Sequence, residues 1–364
     1  MFCLNRYKIC VYAICKDEAA FAERFLLSMG EADGIYVLDT GSSDGTVGLL
    51  RAGGAVVETE IFNPFRFDTA RNRALEMVPE DTDICVSADL DEVFEPGWRK
   101  KLESAWCGNQ TRAEYDYVYD HDETGAPRTV YTREKIHLRH GYRWTRPVHE
   151  VLVSGGAEVV FRIPGIVLHH FPDSKKSRAQ YLPLLEISHA ENPDDDRTAF
   201  WLGREYYFHG RYDECVAALV RHLSMPSARW DEERSASMRL IAESLFRKSA
   251  PDAARVWLYR AIAECPGVRE PYLHMLRLAY NLHDWPLGLC MADMALRITE
   301  RSGSYLTEAE AWGPEIFDLG SIAAYWLGLY ERARDWAKSA LAFEPQNPRR
   351  LENLRLVESR LGVG

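Results

Sequence analysis

Short apolar runs alternate with helical patterns at the start of the chain. Hydrophobic side chains lie on both faces of four such runs, at residues 9–14, 35–38, 56–58 and 84–87. Amphipathic helices are predicted between them, at residues 18–29, after residue 46 and at residues 69–77. This alternation is typical of a mainly parallel sheet covered by helices. Because open sheets bind ligands at the carboxyl ends of their strands, we expect the loops after Ile14, Leu38 and Ser87 to meet in one cleft.

The pattern changes twice further along the chain. Short β-branched and aromatic runs, broken by Gly and Pro, follow at residues 128–138, 148–153 and 159–166, and they predict extra strands on one side of the cleft. After residue 177, paired amphipathic helices recur with turns at residues 210–212, 248–250, 283–285 and 328–330, and an insertion interrupts them at residues 301–314. The turns recur close to the ~34-residue period of tetratricopeptide repeats. We predict an α/β domain at residues 1–176 and an all-α helical-repeat domain at residues 177–364.

Composition narrows the function classes. The 364 residues include 44 Lys and Arg against 55 Asp and Glu, a net charge of −11, so nucleic acid is not an expected partner. No apolar stretch reaches the ~18–20 residues that span a membrane, and the first residues do not read as a secretion signal. The 8 cysteines are scattered without a CxxC pair. We therefore expect reduced cysteines that pack as small hydrophobes, no membrane span and a cytoplasmic location.

Acidic loops carry the candidate chemistry. Asp89 and Asp91 follow the apolar run at residues 84–87, and paired carboxylates there can hold Mg²⁺ or Mn²⁺ against a diphosphate, although a solvated turn is the simpler interpretation. Asp39 precedes a Gly- and Ser-rich loop, where it can accept from a base or a ribose or can cap a turn. Arg71, near the start of a predicted helix, supplies a cation for phosphates.

Taken together, five stretches resemble the family 2 glycosyltransferases of GT-A fold. The closest likeness is to the bacterial subgroup in which tetratricopeptide repeats follow the catalytic domain, which includes the peptide S-glycosyltransferases of the glycocin pathway. The matching stretches are residues 14–18, 38–46, 70–74, 88–92 and 148–150. The resemblance implies a GT-A domain, the Rossmann-like mixed sheet of nucleotide-diphospho-sugar transferases, ahead of the repeats.

The resemblance also implies roles for single residues. Asp39 would read a uracil-type base, Arg71 would reach the base or the diphosphate, Asp89 would touch the ribose and the metal, and Asp91 would ligate the metal. The backbone at Ala13 and Cys15 would border the base, in the same stretch as Glu18.

The chain departs from the family pattern at two positions. Asp17 stands where the family usually has Asn. Leu90 replaces a small residue between the two acids and is expected to narrow the space beside the ribose.

Two histidine-containing stretches complete the implied site. His170 matches a family position that can complete the metal site, with His169 as the alternative ligand and strand capping as the structural alternative. The resemblance puts Glu150 in the role of the catalytic base, and His149 is the rival because imidazole titrates near neutrality. We read residues 146–152 as a strand, whose alternation would send these two side chains to opposite faces. A Glu150 paired with Arg143 or Arg146 is the structural alternative.

The function expected from the sequence is metal-dependent, inverting transfer of a sugar. The donor would be a UDP-sugar, the metal Mn²⁺ or Mg²⁺, and the acceptor a peptide Cys or Ser side chain or a glycan, with the repeats serving acceptor binding or homodimer formation. One alternative is a non-catalytic repeat scaffold that carries a retired transferase domain. The other, nucleotidyl transfer to a sugar phosphate, needs a Gly-rich loop after the first strand, and residues 15–21 contain no Gly.

Overall fold

The chain forms two compact units. The computed structural model describes residues 7–122, 124–172 and 181–362. The units are Met1–Ser188 and His189–Gly364. The domain boundary predicted between residues 176 and 177 lies outside the described residues, so it stays a prediction. One of the 8 cysteines, Cys3, also lies outside them.

The first unit alternates strands and helices before it becomes strand-rich. Its strands are β1 (Ile9–Cys15), β2 (Gly34–Asp39), β3 (Val56–Thr59), β4 (Ile84–Ser87), β5 (Glu92–Phe94), β6 (Arg112–His121), β7 (Pro127–Leu138), β8 (Tyr142–Thr145), β9 (Val151–Ser154) and β10 (Val160–His170). Its helices are α1 (Ala19–Met29), α2 (Thr46–Ala52), α3 (Phe67–Met77) and α4 (Trp98–Ala105), and α5 (Tyr181–Glu191) begins within it.

Eight of these strands form one mixed sheet, in the order β3-β2-β1-β4-β7-β6-β10-β5. The first four pair in parallel, as the alternating pattern predicted. β7 then joins β4 antiparallel, and β6 and β10 pair in parallel with each other. β8 and β9 form a separate antiparallel hairpin. The prediction of a mixed α/β sheet is therefore confirmed, and the carboxyl ends of β1, β2 and β4 meet at one edge.

The centre of the sheet is buried on both faces, because every residue of β1 and β4 is buried. Along β1, Ile9, Val11 and Ala13 pack on one face with Phe25 and Met29 of α1. Cys10, Tyr12 and Ile14 point to the other face, where they pack with side chains of α3 and of the β8–β9 hairpin. The period of two along a strand makes this division.

The second unit is an array of helix pairs that resembles tetratricopeptide repeats. Its helices are α6 (Asp196–Phe208), α7 (Tyr212–Ser224), α8 (Asp231–Arg247), α9 (Pro251–Glu264), α10 (Glu270–Asn281), α11 (Trp285–Leu296), α12 (Glu315–Trp326), α13 (Tyr330–Phe343) and α14 (Pro348–Leu361). A turn separates the helices of each pair where the sequence predicted one. The predicted insertion lies between α11 and α12 and contains a short 3₁₀ helix, Ala309–Trp312. Within the described ranges, no helix is both long and apolar enough to cross a membrane.

Small residues set how closely the helices of this unit pack. A Cβ on Gly320 of α12 would lie 2.7 Å from Cζ3 of Trp336 and 2.9 Å from Cβ of Ala292. A Cβ on Gly288 of α11 would instead meet Cβ of Ala323 at 3.5 Å, an ordinary contact distance. The two helix glycines therefore differ in the space around them.

We predict that Gly320→Ala destabilises the protein and that Gly288→Ala does not. Overpacking against Trp336 should lower the free energy of unfolding by about 1–3 kcal/mol. Gly288→Ala should leave it unchanged or raise it by about 0.5–1 kcal/mol, because Ala is the better helix former. Urea denaturation followed by circular dichroism measures both values, and equal stabilities would contradict this account of the packing.

Candidate functional site

The candidate site lies where β1, β2 and β4 end. In the parallel pairing of β1 with β2, Cys15 lies opposite Asp39. The amide of Ala88, just beyond β4, donates to the carbonyl of Tyr12 at 3.2 Å. The loops that follow the three strands are thus neighbours, as the sequence predicted. Ala13 itself is fully buried within β1.

The loop after β2 is closed by Asp39. Its Oδ1 accepts from the amide of Ser42 at 3.0 Å and its Oδ2 from the amide of Gly41 at 3.3 Å. Gly41 has a φ of +106°, which favours glycine in this turn. Asp39 therefore caps the turn, as the structural alternative predicted. Its side chain is only 1% exposed. Each oxygen of a carboxylate has two acceptor sites, so Asp39 keeps acceptor capacity beyond the two loop amides.

The loop after β1 is fastened to the loop after β2. Oδ1 of Asp17 accepts from the amide of Ser43 at 2.7 Å, and the amide of Asp17 donates to Oγ of Ser42 at 2.8 Å. The amide of Glu18 donates to Oγ1 of Thr46 at 2.8 Å. The bond from Ser43 lowers the pKa of Asp17. Asp17 therefore holds the loop that follows Asp39.

The centre of the site is the buried guanidinium of Arg71, on α3. Its Nη2 lies 2.8 Å from Oδ1 of Asp89, and its Nε donates to Oε1 of Glu150 at 2.6 Å. The group also lies over the ring of Trp144, 5.1 Å from its centroid. The buried Nη1 has no hydrogen-bond partner among the described residues. Arg71 therefore brings three sequence-predicted residues together, itself included, and keeps one donor for a ligand.

A buried chain of hydrogen bonds supports Trp144. Its Nε1 donates to the hydroxyl of Tyr12 at 2.8 Å, and that hydroxyl lies 2.9 Å from Nε2 of His137. Burial lowers the pKa of His137 to about 3, so the ring is neutral. Its Nδ1 lies 2.7 Å from the carbonyl of Leu138, so Nδ1 donates there and Nε2 accepts from Tyr12.

Asp89 is held as a carboxylate by two cations. Although burial alone would raise its pKa, Arg71 and Lys135 bring the pKa of Asp89 below its usual range. Nζ of Lys135 donates to Oδ2 of Asp89 at 3.3 Å and lies 3.6 Å from Oε1 of Glu92. Burial raises the pKa of Glu92, whose Oε2 accepts from the amide of Asp89. We call Arg71, Asp89, Glu150, Lys135 and Glu92 the Arg71 cluster.

Asp91 lies beside His170 rather than beside His169. Nε2 of His170 is 3.5 Å from Oδ2 of Asp91, and its Nδ1 is 3.0 Å from the carbonyl of Tyr119. His169 is directed elsewhere, with Nε2 at 3.3 Å from Oε1 of Glu95. Burial lowers the pKa of His170, but the hydrogen bond and charge of Asp91 outweigh it and raise that pKa overall.

The structure does not bring the predicted metal ligands into one group. Among the residues that it describes, no three His, Cys, Asp or Glu side chains are placed to hold a metal ion. Asp89 is engaged by Arg71 and Lys135, which leaves Asp91 and His170 as the adjacent pair. A carboxylate and an imidazole are donors that a divalent transition metal can take, so this pair could supply two of its ligands.

Two sequence predictions need correction. Residues 146–150 are not a strand: β8 ends at Thr145, β9 begins at Val151, and Arg146 and His149 have positive φ values of 79° and 52°. Glu150 therefore reaches Arg71 from an irregular loop. It pairs with Arg71 rather than with Arg143 or Arg146, the partners in the structural alternative.

His149 and Leu90 also lie in surroundings that differ from those predicted from the sequence. The ring of His149 stacks on Tyr181, with centroids 5.8 Å apart. Leu90 is fully buried in the core with Phe94 and Trp98, so its side chain does not narrow the space beside a ribose.

Sequence reasoning missed Lys135 and Arg24. Lys135 lies on β7, a strand whose insertion beside β4 is a long-range pairing that no local pattern encodes. Arg24 lies on α1, with its guanidinium 4.2 Å from the ring centroid of Phe171. Nε and Nη2 of Arg24 are buried without hydrogen-bond partners within the described parts of the chain. Its place in the second turn of a predicted helix that follows an acidic loop was the available signal.

Comparisons with known proteins find likeness to helical-repeat structures. No protein-family model matches the chain, and no curated protein matches it. A crystal structure of MamA is 16% identical over 48% of this chain and 97% of that chain, with a TM-score of 0.38. The APC/C hetero-tetramer Cut9-Hcn1 is 12% identical over 51% of this chain and 34% of that chain, with a TM-score of 0.40. The first TPR domain of human RPAP3 is 13% identical over 36% and 94%, with a TM-score of 0.31.

These comparisons overturn the expected family. The sequence resemblance placed the chain among family 2 glycosyltransferases of the glycocin type, but the similar structures named above are TPR-repeat proteins and no family matches. The architecture that stands is a mixed α/β sheet together with TPR-like helical repeats.

We predict that Arg71 stabilises the fold far more than Arg73 on the same helix. Arg71→Met leaves Asp89 and Glu150 without their guanidinium and should lower the free energy of unfolding by about 3–5 kcal/mol. Arg73→Met loses exposed ion pairs to Glu58 and Glu60 and should cost under about 1 kcal/mol. Urea denaturation of both variants is the measurement, and similar losses would show that the Arg71 cluster is not the electrostatic centre of this unit.

Proposed function

We propose that this protein binds a nucleoside diphosphate, as a nucleotide sugar, in the α/β unit and a polypeptide on the helical-repeat unit. The observation that carries the first part is the buried Nη1 of Arg71, which lacks a partner within the described residues. An unsatisfied buried N–H is costly, and a phosphate or carbonyl oxygen of a ligand would satisfy it. The site also lies at the carboxyl edge of parallel strands, the usual ligand position in open α/β sheets.

The loops around Arg71 support a nucleotide in particular. Buried Asp39 can accept from a base or ribose, next to the backbone of Cys15. Arg71 and Lys135 supply positive charge for a diphosphate. The strands β3, β2, β1 and β4 are parallel neighbours, and strands of mixed direction extend the sheet. This order supports a nucleotide-diphospho-sugar-binding sheet of GT-A type.

Asp91 and His170 are the residues that would hold a divalent cation. Their adjacency supports Mn²⁺ or Mg²⁺ with phosphate oxygens completing the coordination, and the imidazole favours Mn²⁺. Bound there, the cation would offset negative charge on the diphosphate. Asp89 would act through Arg71 and Lys135, whose positions it fixes.

Two functions share this binding proposal. In the first, the sugar is transferred: the bond from the sugar to the diphosphate breaks, the acceptor forms the new bond, and Glu150 takes the acceptor's proton. This function is supported by location: the Glu150 carboxylate lies next to Arg71, the residue proposed to bind the diphosphate, and so near the bond that would break.

In the second function, the chain is a repeat scaffold that binds a nucleotide without turning it over. The engagement of Asp89 by two cations and the two-residue Asp91–His170 pair favour this function. The repeat unit itself supports polypeptide binding in either case, and homodimer formation through it stays a prediction.

Seven cysteines in the described parts of the chain are free, which supports a reducing, cytoplasmic compartment.

We predict that the chain binds UDP and that Mn²⁺ strengthens the binding. Asp91→Asn should abolish the gain from Mn²⁺, a loss of about tenfold or more in affinity, because the carboxylate ligand is lost. Asp116→Asn, on β6 and paired with Arg162, is the matched control and should leave the affinity unchanged. Isothermal titration calorimetry with and without Mn²⁺ measures both variants. No UDP binding to the unmodified chain would overturn the nucleotide proposal.

We predict that Glu150→Gln separates the two candidate functions. Gln keeps the size of Glu and can still accept from Arg71, so the affinity for UDP should change little. If the chain transfers sugar to a hydroxyl, the rate should fall roughly 10²-fold or more, because an amide cannot take the proton. Mass spectrometry of peptide acceptors incubated with UDP-sugars measures transfer. Nucleotide binding with no transfer or donor hydrolysis by the unmodified chain would favour the scaffold.

A further inference from the structure

The insertion between α11 and α12 lies against three successive helix pairs of the repeat unit. We call residues 299–313 the insert. Tyr305 stacks on Trp201 of α6, with centroids 5.7 Å apart, and its ring edge meets Trp230, which precedes α8, at 5.5 Å. Leu306 packs with a cluster that includes Phe200 and Ile241. The insert therefore covers the face formed by the first helix of each pair, α6, α8 and α10.

Acidic side chains at the starts of α8 and α10 accept hydrogen bonds from the insert. Glu232 accepts from Oγ of Ser302 at 2.8 Å, and Glu233 accepts from the hydroxyl of Tyr305 at 3.1 Å. On α10, Oε1 of Glu270 accepts from the amide of Glu308 at 3.1 Å. The last contact is to the backbone of the insert rather than to a side chain.

Basic side chains on the same two helices bind the carboxylate of Glu308. Nη2 of Arg239 lies 3.2 Å from its Oε1, and Nε2 of His274 lies 2.9 Å from its Oε2. Arg277 lies 4.0 Å from the same oxygen. Nδ1 of His274 is 3.2 Å from Glu243. Burial alone would raise the pKa of Glu308, but His274 and Arg239 lower it to about 2.

We propose that α6, α8 and α10 form a peptide-binding groove that the insert occupies in this structure. The partner that displaces it is a polypeptide segment with the same pattern, a tyrosine three positions before a glutamate. The inference rests on the proposed polypeptide binding by the repeat unit and names its site and the chemistry of its ligand. Tyr305, about half exposed, packs against Trp201 and Trp230. The carboxylate of Glu308 binds cationic side chains, and its amide donates to Glu270.

Occupation from within the chain lowers the apparent affinity for an outside peptide. An intramolecular segment competes at an effective concentration set by its short connection, so an outside peptide sees only the open fraction of the groove. Weakening the insert without changing the groove should therefore increase peptide affinity. Tyr305→Phe with Glu308→Gln does this, because it removes one hydroxyl and one charge while keeping both shapes.

The test uses a fluorescent peptide with the sequence of residues 301–312 and the full chain. Fluorescence anisotropy should show at least about tenfold tighter binding to the Tyr305→Phe/Glu308→Gln variant than to the unmodified chain. Glu310→Gln, an exposed change in the same insert, is the control and should bind like the unmodified chain. Adding Arg239→Gln to the double variant should abolish the gain, because the peptide glutamate loses its cation. Equal binding by all four proteins would overturn the proposal.

A second measurement needs no variant of the chain. Trypsin cleavage after Arg301, an exposed residue, should accelerate when excess unlabelled peptide displaces the insert. A control peptide in which Ala replaces the tyrosine and Gln replaces the glutamate that corresponds to Glu308 should not accelerate the cleavage. Acceleration by both peptides, or by neither, contradicts the proposal. UDP titration of the same samples reports on the α/β unit separately, so failure of the groove is distinguishable from failure of nucleotide binding.

Discussion

The α/β unit depends on the burial of one positive charge. A guanidinium taken out of water is costly unless opposite charge and hydrogen bonds replace its hydration, and Arg71 obtains both from Asp89 and Glu150. Asp89 follows β4 and Glu150 precedes β9, so the pairing joins the main sheet to the separate hairpin. Because Arg71 also lies over Trp144, the chain of hydrogen bonds through Tyr12 and His137 fixes the ring against which it rests.

The two halves of the candidate site are held by different kinds of interaction. Around Asp39 the backbone amides of the loop do the work, and Asp17 ties that loop to its neighbour. Around Arg71 the contacts are between charged side chains, which shift the pKa of Asp89 downward. A ligand with a polar ring at one end and anionic groups at the other matches this division, since amide-held carboxylates accept from N–H and O–H groups while cations bind phosphate.

The parts of the fold with strong periodicity were predictable from the sequence. The strands from Ile9 to Ser87 and the four repeat turns follow from patterns that are local, and they agree with the structure. The strand read through residue 149 was wrong, because alternation alone does not reveal that His149 adopts a positive φ. The position of Asp39 at the end of β2 and that of Asp89 just after β4 followed from the predicted strand ends. The pairing of Lys135 with Asp89 depends on where β7 joins the sheet, which no local pattern encodes.

Arg269 gives the repeat array a further property. Its Nε donates to the carbonyl of Ile298 at 2.8 Å and its Nη1 to that of Ala311 at 3.4 Å, so one side chain just before α10 closes the base of the insert. Its guanidinium also lies over Trp312, 4.1 Å from the ring centroid. The cost of closing a loop rises only slowly with its length, so a clamped base tolerates changes of sequence and size between the clamp points. The sequence of the insert can therefore change while the packing of the helices beneath it stays the same.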